Sequence, residues 1–355
     1  MGYRIKIEDL QHFCAKALEK AGMKPEYADI SAKALSETDG YGTHSHGTKN
    51  LHNYIRKALA GGIDIKAEPV IVKDGLAFAV MDAARGMGMA PAVLGMELAC
   101  KKADTAGIGI VTVKNSCHFG AAGYYANLAA KQGKMGIVVS NVDPNMNAPG
   151  AMSKALGNNP IAYACPSRKV PTIFLDIAMS NVASLKVFQA RTEGRKVPDN
   201  WIVDKDGLPT DDPSHYPDEG AMQPMAAHKG YGLAVMVDLL TGVLSGGATS
   251  MGGEISSWIL KLDEPNNVCH TFIAINPPLF YSESEFADRV EAIAEKLRGL
   301  PKAKGSNRIY LPGEIEWERY FKAKERGIAL PNDVLESLWE LARESDLELP
   351  LTEDE

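Results

Sequence analysis

The chain has 355 residues, 45% of them hydrophobic and 23% charged, with a formal net charge of −7 at pH 7. That length buries a large core, the composition is ordinary for a globular protein, and the acidic balance argues against non-specific nucleic-acid binding. In chain order, residues 9–21 and 26–39 carry apolar side chains at helical spacing, with Gly22 and Gly40 as stops. Residues 51–60 predict a third helix, closed by Gly61 and Gly62. From Val70 the texture changes to short β-rich runs (78–81, 108–113, 135–140 and 173–176) alternating with small-residue helices at 90–106 and 121–132. Residues 187–227, rich in Pro, Asp and Lys, read as a long surface excursion. An apolar helix is predicted at 229–245, a strand at 271–276 and amphipathic helices at 284–300 and 330–344, followed by an acidic tail at 347–355 expected to be mobile. The class is α/β (α+β), with a helical layer formed by the N-terminus.

The scattered cysteines, Cys14, Cys100, Cys117, Cys165 and Cys269, form no Cys-x-x-Cys pair and read as reduced thiols. The first residues lack the apolar stretch of a secretory signal, and no apolar run reaches the roughly 20 residues of a membrane span. A cytoplasmic enzyme without membrane partners is the expectation.

Chemistry concentrates between a strand-like run, residues 108–113, and a small-residue helix start. There Asn115-Ser116-Cys117-His118-Phe119-Gly120 sets a histidine in a loop, where an imidazole can trade a proton near neutral pH. His44, His46 and His52 cluster upstream, and His118 or Cys117 could complete a zinc set with them. Companion ligands at a convincing spacing are lacking, so no metal is expected. Cys117 reads as a buried thiol, and His12 and His270 as core or surface residues.

Gly86-Met87-Gly88 half imitates a dinucleotide fingerprint, but Pro91 stands where the third glycine belongs. Gly157-Asn158-Asn159-Pro160 and His228-Lys229-Gly230-Tyr231-Gly232 are better nucleotide candidates. The second places a cation and flexible backbone at a helix start, where free N–H groups favour phosphate, although the same residues suit a plain turn and cap.

The run 115–125, Gly157-Asn158-Asn159-Pro160 and His228-Lys229-Gly230-Tyr231-Gly232-Leu233, together with Ser45-His46-Gly47, Leu175-Asp176-Ile177-Ala178-Met179-Ser180 and Leu311-Pro312-Gly313-Glu314, stand in an order that resembles the malate/L-lactate dehydrogenase family of the non-Rossmann type. The resemblance covers nearly the whole chain. It implies an unusual NAD(P)-binding domain with a mixed, largely antiparallel sheet (71–283), packed on a helical domain made from both chain ends (1–70 with 284–355). It also implies a homodimer and NAD in preference to NADP.

By that resemblance His118 is the acid/base histidine, and His46 and Ser45 are polar active-site partners. Lys49, Asn50, Tyr54 and His44 lie on the substrate side. Val142, Asn159, Asp176, Ile177, Ala178, His228, Lys229, Gly313 and Glu314 match cofactor-contact positions. The reaction implied interconverts a 2-hydroxy acid, of the malate, lactate or ureidoglycolate kind, and its 2-keto partner. Alternatives are a cyclic imine-acid or diketo-acid reductase of the same family and, in a different class, a His-metal hydrolase or lyase.

One position departs from the family pattern. Asn50 stands where an arginine usually faces the substrate carboxylate, so a fork of donors is replaced by a neutral amide. Either Lys49 or His44 takes over the anion, or the substrate is not a simple 2-hydroxy acid. Helical spacing would put His46, Lys49 and Asn50 on one face.

Overall fold

The computed structural model describes residues 3–353. Its centre is a seven-stranded sheet whose strands lie in the order Val70–Asp74, Phe78–Asp82, Ile108–Ser116, Val268–Ile275, Met135–Ser140, Ile161–Cys165, Ile173–Ile177. Phe78–Asp82 and Ile108–Ser116 are parallel, linked by the crossover helix Met89–Ala106; the other neighbouring pairs are antiparallel. This is the non-Rossmann, largely antiparallel sheet the resemblance implied. Both faces of the strand Val268–Ile275 are covered: Phe272 and Ala274 are fully buried, and so is Thr271, whose hydroxyl donates to the carbonyl of Leu240 (2.6 Å).

The crossover helix and the helix Ala122–Lys131 cover the sheet and share one hydrophobic core with the N-terminal helices Ile7–Lys20, Pro25–Gly40 and Leu51–Leu59. The helix Asn332–Ser345 joins that core through Val334, Leu335, Leu338 and Leu341, so both ends of the chain build the helical layer. Among the described residues no helix is long and apolar enough to cross a membrane.

Three expectations are corrected. Residues 187–227 are not a surface excursion. They supply the strands Ile202–Val203, Pro209–Thr210 and Ala221–Met222 of a five-stranded sheet shared with Met146–Asn147 and Lys154–Leu156. Val187, Ala190, Val197, Ile202, Tyr216 and Met222 form part of a second core beneath it. Polar loops between two-residue strands hid that core from any periodicity.

The described part of the acidic tail is likewise anchored. Leu347, Leu349 and Leu351 pack on the main core, and Thr352–Glu353 pairs with the strand Tyr3–Ile5. Residues 354–355 lie outside the described residues. Finally, the apolar helix at 229–245 is α-helical over His228–Asp238 and then widens to a π turn, Leu239–Val243.

Candidate active site

His118 follows the strand Ile108–Ser116 in the loop before the helix Ala122–Lys131. Its Nδ1 meets the Tyr54 hydroxyl in a short hydrogen bond, with the Gly120 N–H at 3.4 Å. The Trp258 indole lies flat on the imidazole (4.4 Å between centroids, 11° between planes), and the His46 ring stands 5.6 Å away. Nδ1 is thus occupied, which leaves Nε2 as the ring nitrogen without a hydrogen-bond partner among the described residues. Burial, then the neighbouring His46 and His270, holds His118 well below the ordinary histidine range, so it is neutral at pH 7. Burial lowers His46 too, and its Nδ1 bonds the Ser45 hydroxyl at 2.8 Å.

The segment carrying Ser45 to Asn50 is not a continuous helix. It forms two 3-10 turns, His44–His46 and Thr48–Asn50, split at Gly47. The expected common face of residues 46, 49 and 50 is therefore absent. The cause is Asp39, 1% exposed, whose carboxylate accepts from the Thr48 amide (2.8 Å), the Thr48 hydroxyl (2.6 Å) and His44 Nδ1 (2.9 Å). A Cβ on Gly47 would lie 2.3 Å from an Asp39 oxygen, so only glycine lets the chain fold over that carboxylate.

The same turns set the partners of the residues that follow. Asn50 Nδ2 donates to the Ser45 carbonyl (2.9 Å), and Lys49 Nζ pairs with Asp333 (2.5 Å). His52 bonds Glu344 at 2.8 Å. The histidines of this segment thus turn to separate partners. Among the described residues no three His, Cys, Asp or Glu side chains are grouped so as to hold a metal ion.

The positions matched to cofactor contact fall into linked networks. Asn159, fully buried, accepts from the Val142 amide (3.1 Å) and donates to the Ala234 carbonyl (2.9 Å) of the helix His228–Asp238. Ile177 and Ala178 are half-buried beside it, with the Met179 amide donating to the Asn158 carbonyl (2.8 Å). Asp176 accepts from the Gly123 amide (2.7 Å), five residues beyond His118, and burial raises its carboxyl to about 6. His228 and Lys229 are exposed at a helix start that follows Ala226 and Ala227, both at positive φ.

Gly313, at φ +82°, lies so close to Phe174 that a Cβ would stand 2.3 Å from its ring. Glu314 is 6% exposed and engaged by Arg298 (2.6 Å), Arg308 and the Leu311 amide (2.8 Å). Its carboxylate thus opens the helix Glu314–Arg326 and is taken up by protein partners.

The family model for malate/L-lactate dehydrogenase matches residues 5–339. The chain belongs to the malate/L-lactate dehydrogenase family. It is 34% identical to a malate dehydrogenase of Pyrococcus horikoshii, over 97% of this chain and 96% of the relative. It is 33% identical to an NAD(+) ureidoglycolate dehydrogenase of Escherichia coli, over 94% of this chain and 95% of that one. Among solved structures, sulfolactate dehydrogenase from Methanocaldococcus jannaschii superimposes with a TM-score of 0.89 at 34% identity, covering 98% of both chains. Membership places the chain among dehydrogenases, and malate, sulfolactate and ureidoglycolate dehydrogenases among its relatives support a 2-hydroxy acid dehydrogenase.

Seen as a member of this family, the chain holds site residues that no motif announced. Trp258 sits in a loop fixed by Asn53 Nδ2 on its carbonyl (3.2 Å). The buried Lys57 donates to the carbonyls of Lys261 and Glu264 in the same loop. Asn266 accepts from the His118 amide (2.8 Å) and donates to the Ser256 carbonyl (2.6 Å). Isolated residues 140 positions downstream of the histidine leave no local signal. The glycine pair of the false fingerprint gains a reason as well: a Cβ on Gly88 would lie 2.1 Å from the Cys117 carbonyl oxygen. That glycine admits the histidine loop against the helix start.

Proposed function

We propose that this chain interconverts a 2-hydroxy acid and its 2-keto partner with a nicotinamide cofactor, NAD in preference to NADP, and that His118 moves the proton. The observation that carries the reading is the neutral imidazole of His118, held at Nδ1 by Tyr54 and capped by Trp258. The residues present suit such a cofactor. An exposed helix start with Lys229 beside it matches phosphate, and the Asn145 Oδ1 near Val142 is buried without a partner in the protein. Val142, Asn159, Asp176, Ile177, Ala178, His228 and Gly313 would line its course, with Glu314 holding the Gly313 turn. When bound, the nicotinamide accepts or returns the hydride.

The protein's own part is proton handling and orientation. In oxidation the His118 Nε2 lone pair takes the hydroxyl proton, and in reduction the imidazolium returns it. With its lone pair on Nε2 the neutral ring carries its proton on Nδ1, and so does the imidazolium, so the Tyr54 oxygen accepts from Nδ1–H in both states and holds the working tautomer. Ser45 and His46 form the neighbouring polar wall. Lys49, Asn50 and His44 are all engaged within the protein, which favours a substrate whose far end is a neutral polar group over a second carboxylate.

The family's usual dimer is part of this reading. Leu233, Met236, Leu239 and Val243 recur at helical spacing and are exposed, which supports a second copy over that face. Sedimentation of the purified protein tests it, and a monomer removes it. For the activity, malate, lactate, sulfolactate, ureidoglycolate and a cyclic imine acid should each be offered with NAD(H) and NADP(H), read by absorbance of the reduced nicotinamide. Absence of turnover on the whole panel overturns the reading.

A further inference from the structure

His270 lies directly behind the proposed catalytic loop, and nothing in the proton-transfer scheme uses it. It sits in the strand Val268–Ile275, at the middle of the seven-stranded sheet, with no exposed surface. Both ring nitrogens are engaged. Nδ1 is 2.9 Å from the Ser140 hydroxyl on one neighbouring strand, and Nε2 is 3.0 Å from the Ser116 hydroxyl on the other. Nε2 is also 3.3 Å from the Cys117 carbonyl oxygen. The ring lies on Phe119, with centroids 4.2 Å apart and planes at 10°. Thus the edge and face of one imidazole touch Ser116, Cys117 and Phe119, the residues flanking His118 on both sides.

A local irregularity makes this contact possible. Val268 pairs with Ser116 but His270 pairs with Val113, so the strand Ile108–Ser116 carries an extra residue in a bulge. Asn115, at φ +53°, is in the left-handed region within it, its side chain donating to Asp82 (2.8 Å). The bulge swings the Ser116 hydroxyl and the Cys117 carbonyl toward His270.

Protonation follows from the partners. The Cys117 carbonyl only accepts, so the ring proton belongs on Nε2, and Nδ1 accepts from the Ser140 hydroxyl, which shares its proton between Nδ1 and the Asn141 carbonyl (3.0 Å). Burial lowers His270 to about 3, so this neutral form persists across the working range.

We propose that His270 is a positioning residue: as a neutral Nε2–H imidazole it clamps residues 116–119 and so fixes where the His118 ring points. This rests on the reading of His118 as the proton-transfer group. Misplacing a reacting group by about 1 Å costs on the order of 10²-fold in rate, so a clamp of this kind acts on turnover more than on cofactor affinity.

The test is a cycle of four full-length proteins, wild type, His118→Gln, His270→Phe and the double variant, with His270→Gln as a fifth. Each is assayed with its nicotinamide cofactor and the best substrate of the panel above. Phe keeps the ring on Phe119 and removes both edge contacts; His270→Gln restores an N–H donor. Turnover is normalised to folded protein by circular dichroism, and NADH binding is followed by fluorescence.

The expected results are a fall of roughly 10- to 100-fold in kcat for His270→Phe, NADH affinity within about twofold of wild type, and recovery of most of the loss by His270→Gln. In the His118→Gln background His270→Phe should add little. Nitrogen NMR of the labelled wild type, without cofactor, should show His270 protonated at Nε2 alone. Normal kcat in His270→Phe, equal impairment of the Gln and Phe variants, or a proton on Nδ1 overturns the clamp. Near-normal kcat in His118→Gln instead overturns the proton-transfer reading and is recognised independently.

Discussion

Removing the oxygen of Tyr54 isolates the support of His118 from the packing around it. Tyr54 is fully buried, and its ring stacks on Trp258 with centroids 5.0 Å apart, so Tyr54→Phe preserves the aromatic wall. What disappears is the hydroxyl at His118 Nδ1. Without it the neutral ring prefers a bare Nδ1 that accepts from the Gly120 amide, 3.4 Å away, with its proton on Nε2, the tautomer that cannot take a proton there. The working tautomer and the imidazolium both need an acceptor at Nδ1–H. A buried N–H left without an acceptor costs about 1–3 kcal/mol. Loss of 1–2 kcal/mol from the proton-transfer state corresponds to a roughly 5- to 30-fold fall in kcat.

The pH dependence carries a sign. Burial, His46 and His270 already lower His118, so wild-type oxidation should stay level as pH falls through about 6.5. Tyr54→Phe disfavours the imidazolium further, so the acid limb of kcat/KM should move to still lower pH. The assay is stopped-flow oxidation from about pH 4.5 to 9, read by reduced nicotinamide, with melting temperature as control. A kcat within twofold of wild type, or an acid limb that moves upward, refutes the reasoning.

Three further outcomes follow from the geometry. Gly88→Ala drives a methyl into the Cys117 carbonyl, so kcat should drop more than roughly 10-fold while NADH affinity, measured by fluorescence titration, changes little. Asp176 has a raised folded-state pKa, so its charge weakens the fold above about pH 6, and the penalty vanishes as pH falls from there toward the ordinary carboxylate value. Asp176→Asn should therefore raise the apo-protein melting temperature at about pH 8 by roughly 2–4 °C and leave it unchanged near pH 4. Lys229→Ala removes an exposed cation at a helix start and should raise the cofactor Kd several-fold, by calorimetry, with kcat at saturation preserved.

The main sheet and helical layer were legible because long periodic segments carry them, as at residues 9–21, 26–39 and 108–113. The sheet under residues 187–227 was not, because its strands are two residues long and its apolar residues are spread among polar turns. The loop position of His118, between a strand and a small-residue helix, was legible. Tyr54 was named on the substrate side, but its bond to His118, like the approach of Trp258 and Asn266, comes from a distant segment and only the fold reveals it. Lys57 illustrates the same limit: a lysine near a helix end reads as solvated, yet it is fully buried and bound to two carbonyls. The two turns around Gly47 also escaped, since the departure from helix is imposed by Asp39, eight residues earlier.

The small sheet in which Tyr3–Ile5 lies between Ile328–Ala329 and Thr352–Glu353 has a bearing on how the molecule is made. During synthesis the first strand must wait for nearly the entire chain to emerge before either partner exists. That seam, which ties the two ends of the helical layer together, can therefore close only long after the loop of His118 has been translated. A protease that nicks the segment at 347–351, or a tag fused to the far end, acts on that closing step. Loss of activity from such an alteration would reflect an unfinished helical layer and not damage to any residue that handles the proton.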